Sequence, residues 1–136
     1  MIEHLHIIGF ILIVLGFIHM IFPKYFNWKE ELKSLSLINK EMMMIHTFFI
    51  AIAVILMGTL CLSSAQELVQ TSLGKRICFG MGIFWILRLI IQFFGYSSKL
   101  WKGKHLETIV HIVFSCLWLY LSIIFIMTAF SQNTLL

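Results

Sequence analysis

Four long apolar runs, separated by short polar stretches, set the pattern of the chain; they cover residues 5–22, 42–62, 77–96 and 108–130. A hydrocarbon core about 30 Å thick takes roughly 20 helical residues to cross, and each run is close to that length. With no water in the core, a spanning segment must satisfy its own backbone, so the runs are expected to be helices and not strands. The connections are short, which makes successive helices antiparallel. The expected fold class is therefore an all-α integral membrane protein, an up-and-down bundle of four transmembrane helices forming one domain over residues 1–136. Between the first two runs, Tyr25, Trp28, Leu32 and Leu35 recur at spacings of three and four, with Lys29, Glu30 and Lys33 opposite them. That spacing predicts a short interfacial amphipathic helix over about 25–38.

Composition agrees with lipid as the solvent. The chain is 60% hydrophobic and only 12% charged, about half the charged share of a soluble domain, and could not cover its apolar surface with polar groups. The net charge of +4 does not point to nucleic acid, because the basic residues are spread thinly and flank the apolar runs. They are better read as orientation signals. Lys24, Lys29, Lys33, Lys40, Lys99, Lys102 and Lys104 share one side, against Lys75 and Arg76 on the other. The positive-inside rule then makes the lysine-rich side cytoplasmic and both termini periplasmic, in a bacterial inner membrane. The same lysines would attract anionic lipid headgroups. The first run lacks a basic leader, carrying Glu3 instead, and is followed by Phe22, Pro23, Lys24 and Tyr25 where a cleavage site would need small residues; it is expected to be retained.

Polar residues that interrupt the runs carry the functional signal, since an ionisable group in a membrane is costly and faces a cavity or a partner. His19 lies five residues before Lys24, and His46 five residues after Glu41. At 1.5 Å per residue both are roughly 7–8 Å inside the lysine-rich boundary. The third run ends on that side with Arg88, Gln92 and Tyr96 each one turn apart, and the fourth begins there with Glu107 and His111 one turn apart. If these faces turn inward, His19, His46, Arg88, Gln92, Glu107 and His111 form one polar layer. Helical spacing favours this for the fourth run, where Glu107, His111, Ser115, Trp118 and Ser122 draw a narrow stripe. The third run carries a similar stripe of Met81, Trp85, Arg88, Gln92, Gly95 and Tyr96, and Gly9 and Gly16 mark a face for close packing.

The layer admits several readings. His19, His46, Glu107 and His111 are ligand types for a divalent metal. Two imidazoles could instead hold haem b, with Gln92 beside it and Arg88 pairing a propionate. Arg88 cannot shed its proton and must find an anion, either Glu107 or the carboxylate or phosphate of a ligand. Against these stands a hydrogen-bonded lock that fixes helix register without any ligand. Cys61 and Cys78 end and begin consecutive runs, where a disulfide is geometrically conceivable, and Cys116 reads as a packed thiol.

No Gly-rich phosphate loop, paired-Cys motif or Ser with an adjacent base occurs, so the sequence assigns no reaction. The leading functional expectation is a small membrane protein that binds a metal, haem or anionic ligand in its His/Arg/Glu layer. The alternative is an accessory or assembly subunit that packs on a larger membrane protein or on a second copy, with the polar layer as glue. An oligomeric ion or proton transporter is the third.

Overall fold

The computed structural model describes residues 1–131. Among these there is no strand, and the long elements are α1 (Ile2–Tyr25), α3 (Leu37–Ser63), α5 (Ser72–Phe94) and α6 (His105–Phe130), joined by the short helices α2 (Trp28–Glu31) and α4 (Ala65–Gln70) and a 3₁₀ turn at Ser98–Leu100. The four long helices are each long and apolar enough to cross a membrane, and at most 33% of any span is buried inside the protein. What the rest presents is apolar: Phe10, Phe17, Phe94 and Phe130 are all more than half exposed. Water would penalise such a surface heavily, whereas lipid does not. The chain divides into two compact units, Glu3–Ala65, and Gln66–Leu136 with Met1–Ile2.

In the unit Glu3–Ala65, small residues let α1 and α3 approach backbone to backbone. A Cβ placed on Gly58 would lie 2.7 Å from the Gly9 carbonyl oxygen, and one on Gly16 would lie 2.9 Å from the Ala51 carbonyl oxygen. The two meeting points are seven residues apart on each helix, about two turns, so this seam sets an antiparallel register. Leu5, Ile8, Leu12 and Leu15 are buried along it.

The segment between α1 and α3 differs from the expected interfacial helix. α1 runs on through Pro23 to Tyr25 and is stopped by Asn27, whose φ of 50° is left-handed. Asn tolerates that conformation better than most residues. α2 is then a single turn, because past Leu32 the chain closes into i+3 turns, Lys33 N to Glu30 O and Leu35 N to Leu32 O, before Ser36 extends and α3 begins at Leu37. The expected stripe does not share one face: Leu32 is buried while Tyr25 and Leu35 are exposed.

In the other unit α4 folds against the start of α5. The Thr71 hydroxyl accepts from Gly74 N at 2.9 Å and donates to Glu67 O at 2.8 Å, capping α5 while gripping α4. A Cβ on Gly74 would collide with the Glu67 carbonyl, so this turn requires the glycine. α5 and α6 pack antiparallel over Cys78, Met81, Trp85, Leu121 and Phe125, with Gly82 seated under Ile126. Their hydroxyls serve their own helix: Ser115, Ser122 and Thr128 donate to His111 O, Trp118 O and Ile124 O. Among the described residues no disulfide is formed, so Cys61 and Cys78 are not bridged.

Candidate functional site

The polar residues of α5 and α6 converge near the Phe94 end of α5. Arg88 and Gln92 are one turn apart, which puts both on the face that meets α6. Arg88 Nη1 donates to Gln92 Oε1 at 3.0 Å, and the Gln92 amide nitrogen lies 2.8 Å from His111 Nδ1. The carboxamide is oriented by its charged neighbour: guanidinium offers only donors, so the oxygen faces Arg88 and the NH₂ faces His111. His111 Nδ1 is then the acceptor, and its proton sits on Nε2. Gln92 is 8% exposed, with both ends of its amide satisfied.

Aromatic rings wall this chain of groups. The Arg88 guanidinium lies 5.0 Å from the Trp118 ring and 5.7 Å from the Tyr96 ring, favourable cation–π distances. Trp118 in turn stacks on Trp85, centroids 5.0 Å apart and rings within 10° of parallel. On the other side the Trp101 ring covers His111 at 4.0 Å and 8°, and Phe93 meets the imidazole edge-on. Trp101 is held there by its backbone. Lys104 N donates to Trp101 O, closing a turn whose third residue, Gly103, has a φ of 80° that suits glycine, and the Thr108 hydroxyl shares its proton between the same carbonyl at 2.8 Å and Lys104 O at 2.7 Å.

Two buried groups lack what they need. The indole N–H of Trp85 and that of Trp118 have no acceptor among the described residues. Nor does Arg88 form an ion pair with any carboxylate among them; its hydrogen-bond partner is a neutral amide. Glu107, expected as its counter-ion, is exposed in the first turn of α6, one turn short of the point where His111 reaches α5. Gln92 takes the place beside Arg88 instead.

Of the expected layer, the structure thus joins Arg88, Gln92 and His111 in one unit, while His19 and His46 belong to the other. There, His19 Nδ1 bonds Leu15 O at 2.8 Å and His46 Nδ1 bonds Met42 O at 2.7 Å. A carbonyl only accepts, so these two rings carry a proton on Nδ1, the ring nitrogen that in His111 accepts instead. Among the described residues no three His, Cys, Asp or Glu side chains are grouped to hold a metal ion.

The chain matches no protein-family model, no characterised protein and no solved structure. Sequence reasoning found Arg88, Gln92 and His111 but missed Trp101, which lies in the lysine-rich connection outside every periodic stripe. The one signal was an aromatic set between Lys99 and Lys102 beside a glycine.

Proposed function

We propose that this chain is an integral membrane protein of four antiparallel transmembrane helices that binds a lipophilic anion at Arg88, on its lysine-rich, cytoplasmic side. The observation that carries the reading is the guanidinium of Arg88, about six residues inside the end of an apolar span, steered by a neutral amide and left without a carboxylate. An arginine at the centre of a span costs about 2.5–3.5 kcal/mol on insertion scales, which is the upper bound for Arg88 at its shallower depth, and an anion that neutralises it there gains part of that. The indole N–H groups of Trp85 and Trp118 and the Nε2–H of His111 are further donors in the same unit, suited to carboxylate or phosphate oxygens. Tyr96, Trp101 and Trp118 supply apolar walls for the remainder of the molecule.

Gln92 and His111 act as positioning residues. Gln92 holds the guanidinium in one rotamer, and His111, clamped by Trp101, directs its N–H away from Gln92. Titrating detergent-purified protein with a long-chain fatty acid and with its methyl ester, read by tryptophan fluorescence, tests the proposal. Saturable quenching by the acid alone, lost in Arg88→Gln, is the expected result. Equal response to acid and ester, or an unchanged response in Arg88→Gln, would overturn it.

A further inference from the structure

A second cluster of cations lies in the unit Glu3–Ala65 and shares no residue with the Arg88 site. Lys24 at the end of α1, Lys29 in α2 and Lys40 in the first turn of α3 line one cleft of about 470 Å³, together with Pro23, Trp28 and Met44. No acidic side chain lines it. Of the carboxylates next to these lysines along the chain, Glu30 is paired with Lys33, and neither Glu31 nor Glu41 lines the cleft. Like charges carried on one cleft repel each other, and an anion that enters it relieves that repulsion. None of the three forms an ion pair within the described residues.

The fold itself produces this convergence. The left-handed Asn27 turns the chain immediately after α1, and the single-turn α2 brings Lys29 back beside Lys24. The extended Ser36 then starts α3 early enough for Lys40 to reach the same cleft.

We propose that this cleft is a binding site for a phosphate anion, supplied by the headgroup of an anionic phospholipid. Lysine is a point-charge phosphate ligand with three rotatable donors, so three lysines can surround a phosphodiester without a preset fork geometry. Pro23, Trp28 and Met44 give the cleft an apolar wall for the glycerol and first acyl carbons. It opens where the apolar runs of α1 and α3 end, which is the depth at which lipid phosphates lie, and basic pockets between membrane helices take such headgroups.

The test is thermal unfolding of the full-length protein in a neutral detergent with added phosphatidylglycerol, phosphatidylcholine or inorganic phosphate. It compares the native chain with the combined Lys24→Gln, Lys29→Gln, Lys40→Gln variant and with Lys33→Gln, whose lysine lies outside the cleft. Phosphatidylglycerol is expected to raise the melting temperature saturably, phosphatidylcholine not to, and the triple variant to need at least tenfold more lipid, while Lys33→Gln responds like the native chain. Should the triple variant be unstable, native mass spectrometry on the three single variants reads lipid retention directly, and each is expected to lose it in part. Undiminished binding in the triple variant, or an equal loss in Lys33→Gln, would overturn the site in favour of diffuse charge attraction. Saturable stabilisation by inorganic phosphate, with the lipid adding nothing, would keep the phosphate site and overturn its lipid source.

Discussion

Replacing Gly58 by alanine adds one methyl group where α1 and α3 touch, and the structure sets the scale of the result. The new Cβ would lie 2.7 Å from Gly9 O, 2.9 Å from Ile13 Cγ1 and 3.0 Å from Ile13 N, whereas ordinary contact begins near 3.4 Å. The shortfall against the carbonyl, 3.4 less 2.7, is about 0.7 Å. Two of the three atoms are backbone and cannot swing aside, so α1 must move off α3 and loosen the Gly16–Ala51 meeting point as well. Overpacking of this kind typically costs about 1–3 kcal/mol. Gly80 provides the contrast: it lies inside α5 with nothing within 4 Å of an added Cβ. There the same substitution only restricts the unfolded chain and favours the helix, a gain of about 0.5–1 kcal/mol. Titrating sodium dodecyl sulfate into mixed micelles, followed by far-UV circular dichroism, should separate the two variants by about 1.5–4 kcal/mol, the sum of those opposite effects. Gly58→Ala proving as stable as Gly80→Ala would refute the backbone-contact seam.

Other consequences follow from the α5–α6 unit. Nitrogen NMR of labelled imidazoles should show His111 as the Nε2–H tautomer and His19 and His46 as Nδ1–H; a Nδ1–H signal from His111 would contradict the orientation of Gln92. Gln92→Leu should lower stability by about 1–3 kcal/mol in the same detergent titration, because it strips a buried partner from both Arg88 and His111, and Gln92→Glu, which sets a carboxylate against Arg88, should weaken anion binding further than Gln92→Leu does. Thr71→Ala should cost about 1 kcal/mol and speed hydrogen exchange at Gly74 N, since it removes both the cap and the grip on α4. Trp101→Ala should reduce stability by roughly 0.5–1.5 kcal/mol through the lost stack on His111, while leaving the His111 tautomer unchanged.

How much of this was legible in the chain depends on whether the signal is local. Each expected span falls largely within a long helix, because run length and hydropathy are properties of one segment. The ends differ: α3 begins at Leu37 and not at 42, and α5 at Ser72 and not at 77, because polar residues such as Lys40 and Lys75 extend a helix as readily as apolar ones. The connection over 25–38 does not form the one helix that its apolar spacing predicts, because that spacing cannot reveal that Asn27 turns left-handed.

The sequence by itself determined four apolar helices, the lysine asymmetry between their ends, and the pairing of Arg88 with Gln92 on one face. Each of these follows from composition or from a spacing of one helical turn. Only the tertiary structure decided that Gln92, and not Glu107, sits beside Arg88, that Nδ1 of His111 accepts where Nδ1 of His19 and His46 donates, and that Trp101 covers His111. It also decided that Lys24, Lys29 and Lys40 share a cleft. Those outcomes depend on the register and rotation of one element against another, and neither is encoded within a single segment. They are set where Gly82 lets α6 approach α5 and where Gly9 meets Gly58.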